Sequence, residues 1–252
     1  MRAVSPRAIL AGILVVFSLL TACGGKESER EPVAVPAASA PKPAPEAAPA
    51  TLAVAPNRAD LERAPRVIIL GDSLTAGLGL PVEESFPSLI QQHLDKAGYR
   101  YRVLNAGVSG DTSAGGLRRL DFAMSDGDPK VLIVALGGND GLRGLQPEQL
   151  EKNLAAIIEQ GQRKGLRIIL AGMEAPPNFG ADYTTRFRGV YASLASRYKL
   201  RLIPFLLDGV AGDPALNQAD GIHPNAKGAG VVAALVWRAL EPELASLGTA
   251  SR

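Results

Sequence analysis

The stretch Val67–Leu80, VIILGDSLTAGLGL, sets an unbroken apolar run against an abrupt polar end. Val67, Ile68, Ile69 and Leu70 are consecutive and branched, with none of the alternation of a strand that keeps one wet face. Such a run reads as a strand buried on both sides, which implies a parallel sheet under helices. Gly71-Asp72-Ser73 then closes it with turn-forming residues. Ser73 is either a turn residue or a hydroxyl placed at the strand's carboxyl end for chemistry.

The same pattern recurs along the chain. RVIIL (66–70), YRVLNA (101–106), VLIVALG (131–137), RIILAGM (167–173) and LRLIPFLL (200–207) are all short and apolar. Between and after them lie helical stretches, EESFPSLIQQHLDKAG, SAGGLRRLDFAM, PEQLEKNLAAIIEQGQRKG, YTTRFRGVYASLASRYK and AGVVAALVWRAL. In the third, Leu150, Leu154, Ile157 and Ile158 share a face, with Pro147 near the start and Gly165 past the end. Five such units without an internal repeat predict an α/β domain, three layers α/β/α around a five-stranded parallel sheet. Ligands of open parallel sheets bind outside the carboxyl ends of the strands. The residues to inspect are therefore Gly71-Asp72-Ser73, GVSGDT (107–112), GGNDGLRG (137–144) and DGIHPN (220–225), with the less polar EAPPNFG after the fourth strand.

The ends of the chain read differently. Residues 1–22 carry Arg2 and Arg7, a short apolar run and small residues before Cys23, the parts of an export signal. The run is shorter than the roughly 20 residues of a membrane helix. Cys23 is the sole cysteine, so no intramolecular disulfide forms. The following stretch, to residue 64, is rich in Ala and Pro and too poor in large apolar side chains to offset its ordering entropy, and reads as an extended tether. The organisation expected is a leader (1–22), an N-terminal tether (23–64) and one domain (65–247). The chain has 27 Lys and Arg against 25 Asp and Glu, and two of those arginines sit in the leader. The remainder is formally neutral, with no basic block to suggest nucleic acid.

Histidine is scarce. His93 falls in the middle of a helical stretch among polar neighbours and reads as a surface residue; His223 lies on the ligand edge, three residues after Asp220. A serine hydrolase needs a hydroxyl beside a neutral imidazole, a carboxylate on the far ring nitrogen, and donors facing the developing oxyanion. A short turn brings Asp220 and His223 together. There is no G-x-S-x-G, so the nucleophile elbow of the α/β-hydrolases does not apply. Pro224 restricts His223 to an extended backbone and suits the first turn of a following helix.

Four blocks in this order resemble the SGNH, or GDSL, hydrolase superfamily: Gly71-Asp72-Ser73-Leu74, Gly110 in SGDT, Gly138-Asn139-Asp140, and Asp220-Gly221-Ile222-His223. The fuller stretches ILGDSLTAGLGL, NAGVSGDTSAGGLRRL, LGGNDGLRG and DGIHPN are similar to the exported bacterial acyl thioesterase/lysophospholipase/arylesterase group. The resemblance implies a flavodoxin-like sheet and a catalytic set of Ser73 as nucleophile, His223 as general base and Asp220 as its orienting carboxylate. It implies an oxyanion hole made by the backbone N–H groups of Ser73 and Gly110 and the side-chain amide of Asn139. Leu20-Thr21-Ala22-Cys23-Gly24 likewise resembles the bacterial lipoprotein box, which implies lipid on Cys23 and an envelope-anchored, periplasmic domain, with Gly24 leaning toward the outer membrane.

Leu142 and Leu145, after the Asn139 block, and Phe179, after the fourth strand, are candidates for the wall against which an acyl chain lies. No metal or cofactor is expected: the domain offers no ligand cluster and no phosphate cradle. The partners expected are a small-molecule or lipid ester and, through the anchor, a membrane. The leading expectation is a serine esterase acting on esters or thioesters through an acyl-enzyme. The alternatives are an acetyl esterase on envelope polysaccharide and a non-catalytic binding lipoprotein.

Overall fold

The computed structural model describes residues 64–125 and 127–248. The expected leader, the lipid site at Cys23 and the tether up to residue 63 lie outside the described residues. Five strands, β1 (Pro65–Gly71), β2 (Arg102–Gly107), β3 (Asp128–Ala135), β4 (Arg167–Ala171) and β5 (Arg201–Ile203), form one sheet ordered β2-β1-β3-β4-β5. Every neighbouring pair is parallel. Seven α-helices accompany them among the described residues: α1 (Ser73–Ala76), α2 (Phe86–Lys96), α3 (Ser113–Ala123), α4 (Gly138–Leu142), α5 (Pro147–Arg163), α6 (Ala181–Tyr198) and α7 (Ala226–Ser246). Helix α2 packs with α7 in one layer, and α5 packs with α3 and α6 in the other.

The apolar runs become the centre of the core. Val67–Leu70 of β1 and Val131–Val134 of β3 are wholly excluded from solvent. On α5, Leu150, Leu154, Ile157 and Ile158 are buried together as their spacing requires, Pro147 is the first helical residue, and Gly165 follows the end in a left-handed conformation. The order β2-β1-β3 reverses the winding between β1 and β3, and ligands of such sheets sit at that reversal. Gly71 pairs in register with Gly107 of β2 and Ala135 of β3. Three strand ends are thus level, and the three loops that follow them emerge side by side.

The fold departs from the sequence reading in four places. β2 and β5 are edge strands and are only partly buried, because only one neighbour pairs with each. β5 stops at Ile203 because Pro204 has no N–H to continue the ladder. Helix α7 extends beyond the apolar stretch 229–240 at both ends, running from Ala226 through Pro242 to Ser246. The turn residues after β1 and the polar stretch after β3 are wound into short helices, α1 and α4, which hold Ser73 and Asn139.

Candidate active site

Gly71 ends β1 with no room for a side chain, since a Cβ there would overlap the Thr75 hydroxyl; a Cβ on Gly107 would likewise overlap the backbone N of Ala76. These two glycines let α1 turn tightly over the sheet end. Asp72 caps α1, with Oδ1 accepting from the Leu74 N–H at 3.1 Å. Ser73 opens the helix, so its own N–H has no intrahelical acceptor. Its hydroxyl is half-buried and lies 2.9 Å from Nε2 of His223.

The loop from 204 to 225 delivers that imidazole. Nδ1 of His223 lies 2.7 Å from Oδ2 of Asp220, while Oδ1 of Asp220 accepts the backbone N–H groups of Ile222 at 2.9 Å and His223 at 3.0 Å. The N–H of His223, then that of Ile222, then the imidazole hold Asp220 down at about 2 against its usual 3.8. An ionised carboxylate only accepts, so the ring proton sits on Nδ1 and Nε2 is left as an acceptor for the Ser73 hydroxyl. Pro224 does not begin the following helix, as its position suggested: Asn225 is interposed as the cap, accepting from Lys227 and Gly228.

Asn139 lies in α4 beyond β3, and its Nδ2 donates to the Asp111 carbonyl at 3.0 Å and to Asp72 Oδ2 at 3.3 Å. Gly110 stands between, at φ +82°, with its carbonyl held by Arg143 Nη2 at 2.8 Å. The space around a Gly110 Cβ is open. Glycine is required there by the backbone angle rather than by crowding.

A cleft of about 560 Å³ opens over these groups. Ser73, Gly110, Asn139 and His223 line it with Leu78, Leu142, Met173, Pro176, Phe205 and Leu207. Of the three apolar loop candidates, Leu142 lines the cleft and Leu145 and Phe179 do not. The Leu145 carbonyl accepts the Tyr183 hydroxyl at 2.7 Å, and the Phe179 ring packs on Tyr183 at 5.2 Å. Both serve to back the loop onto α6. His93 lies outside the cleft, half-buried and stacked on Trp237 of α7 at 5.3 Å.

Two buried carboxyls, Asp140 and Asp72, brace the site from behind. Asp140 is buried and accepts the N–H and the hydroxyl of Ser113 at 2.8 and 2.6 Å, and Asn153 donates to that hydroxyl at 2.9 Å. This network fastens α4 to α3 directly behind Asn139. Asp72 is 2% exposed, and burial pushes its carboxyl up to about 6 despite the donors from Leu74 and Asn139. Its unfolded value is the ordinary 3.8, so the folded chain binds this proton more tightly. The resulting stabilisation is complete below about pH 4 and is lost as the pH rises through about 6. Two units correspond to about 3 kcal/mol. Denaturant melts should therefore show the natural chain losing up to that amount between pH 4 and pH 7 relative to Asp72→Asn, which cannot ionise. Parallel curves would mean that ionising this carboxyl costs nothing.

Comparison with known proteins gives a consistent picture. The family model described as GDSL-like Lipase/Acylhydrolase matches residues 69–231. Esterase TesA of Pseudomonas aeruginosa is 43% identical over 178 residues, which cover 71% of this chain and 89% of that one. Thioesterase 1/protease 1/lysophospholipase L1 of Escherichia coli K12 is 37% identical over 176 residues, covering 70% of this chain and 83% of that one. The psychrotrophic esterase EstA from Pseudoalteromonas, solved inhibited by monoethylphosphonate, superposes with a TM-score of 0.68 at 32% identity, covering 71% of this chain and 98% of that one.

Proposed function

Because the chain belongs to the GDSL-like lipase/acylhydrolase family and is a serine hydrolase of ester bonds, we propose that Ser73 is its nucleophile and that its substrates are acyl esters and thioesters with a chain of several carbons. The single observation that carries this is the continuous relay Ser73–His223–Asp220, at 2.9 and 2.7 Å, at the floor of an apolar cleft. The Ser73 oxygen attacks the acyl carbon while its proton passes to Nε2 of His223. The tetrahedral oxyanion takes hydrogen bonds from the N–H groups of Ser73 and Gly110 and from Asn139 Nδ2, which gives up its longer contact, to Asp72. His223 then protonates the leaving alcohol, phenol or thiol. Water, deprotonated by the same imidazole, releases the acid from Ser73.

The cleft supports the substrate class. Leu78, Leu142, Met173, Phe205 and Leu207 offer an apolar wall that an acetyl group alone would leave largely uncovered. That disfavours a polysaccharide acetyl esterase. Aryl esters, acyl thioesters and lysophospholipids all present a longer apolar chain, and the names thioesterase and lysophospholipase borne by the Escherichia coli relative accord with this. The test is a p-nitrophenyl ester series from acetate to palmitate with the full-length protein. Each buried CH2 contributes about 0.8 kcal/mol, so kcat/KM should climb about fourfold per carbon until the cleft is filled. A maximum at acetate would return the reading to a deacetylase.

A further inference from the structure

Arg119 lies on α3, outside the cleft lining, yet its guanidinium is tied to the residues around every proposed oxyanion donor. Nε donates to Asp111 Oδ2 at 2.6 Å, Nη1 to the Ala106 carbonyl at 2.7 Å, and Nη2 to the Gly71 carbonyl at 2.7 Å. Gly71 is two residues before Ser73 and terminates β1. Ala106 is the penultimate residue of β2, just before the loop that carries Gly110. Asp111 follows Gly110, and its carbonyl is the 3.0 Å acceptor of the Asn139 amide. One rigid, planar group thus fixes three points: the start of the Ser73 turn, the root of the Gly110 loop, and the residue that orients Asn139.

We propose that Arg119 is the positioning residue of the oxyanion hole, holding the Ser73, Gly110 and Asn139 donors at one mutual spacing. The proposal rests on the oxyanion assignment made above. The ion pair with Asp111 is mostly shielded, at 22% and 19% side-chain exposure, so it is not a loose surface contact. Asp111 is held close on its other side too: a Cβ on Gly115 would overlap its carboxylate, which accounts for a glycine inside α3. The neighbouring Arg118 is exposed. Lysine would not substitute for Arg119, since a single ammonium lacks the planar fork of separate donors that meets these three acceptors.

Donor spacing matters because the oxyanion develops in the transition state and the tetrahedral intermediate, and is absent from the bound ester. A misplaced donor set lowers kcat and leaves ground-state binding in the apolar cleft alone. Arg119→Ala is expected to lower kcat for p-nitrophenyl butyrate by about 10- to 100-fold, with KM changed less than about threefold. A trifluoromethyl ketone of the same acyl length forms a hemiketal whose oxyanion fills the hole, so its affinity should fall by the same factor as kcat. A residue that merely props up the fold would not make these two losses track each other. Added guanidinium ion should restore part of the Arg119→Ala activity, and Arg119→Lys should remain impaired.

If Arg119→Ala does not fold, Asp111→Asn decides, because it weakens only the Nε contact and its amide is isosteric with the carboxylate. Full kcat and full ketone affinity in whichever folded variant is used would overturn the proposal. So would a kcat loss with ketone affinity intact. The failure of the underlying esterase reading would look different: the natural chain itself would show no ester hydrolysis that Ser73→Ala removes.

Discussion

Ser73→Ala should lower kcat on p-nitrophenyl butyrate by on the order of 10⁶-fold, with KM little changed. The variant removes the proposed nucleophile and nothing else. The apolar wall of the cleft is untouched. The helix cap belongs to Asp72, so the substitution leaves α1 capped and the fold intact. His223→Ala should cost a similar factor, because the 2.9 Å contact makes serine and imidazole a single unit. The double variant should then be no worse than either single one. Kinetics of the three variants test this, with a fluorophosphonate probe reporting separately on whether Ser73 is reactive. A Ser73→Ala chain within tenfold of the natural activity would make Ser73 only the first residue of a helix. Losses that multiply in the double variant would mean that the two side chains act apart.

Much of this arrangement is legible along the chain because its signals are local. Val67–Leu70 and Val131–Val134 declare buried parallel strands by composition alone, and a parallel sheet dictates where its loops meet. Asp220 and His223 are three residues apart, so their pairing needs no long-range knowledge. What escaped the reading depends on packing between distant segments. Asp72 is an ordinary turn residue in sequence. It becomes a buried carboxyl only because α4 and Asn139 close over it from 67 residues away. Leu145 and Phe179 share the apolar character of Leu142, but Tyr183 fixes which way that loop faces. Arg119 did leave a trace. It falls three residues after Gly116 and four before Ala123, both buried, so a charge stands on the inward face of α3. A charged side chain at such a position asks for buried acceptors, and the ends of β1 and β2 provide them.

Asp220→Asn isolates the part of the relay that is electrostatic rather than structural. The two oxygens of Asp220 do separate work: Oδ1 accepts the N–H groups of Ile222 and His223, and Oδ2 faces Nδ1. In the asparagine variant the carbonyl oxygen retains the two backbone bonds, so the loop keeps its course. The amide nitrogen then faces Nδ1 as a donor. The ring proton is driven to Nε2, which then points that proton at the Ser73 hydroxyl and can no longer accept from it. A tautomer change of this kind lowers kcat by about 10⁴-fold. Asp220→Ala leaves Nδ1 free to take either tautomer, and so should retain more activity than Asp220→Asn even though it removes more of the side chain. With its carboxyl held at about 2, Asp220 stays ionised throughout the range in which esterases are assayed. Its contribution to stability is complete above about pH 4 and is lost only as the pH falls through about 2, so the acidic limb of the activity profile does not come from this group titrating. Rates of both variants against pH, with the imidazole nitrogens observed by NMR, test the argument. Equal rates with an Nδ1 proton in each would show that Asp220 places the ring and nothing more.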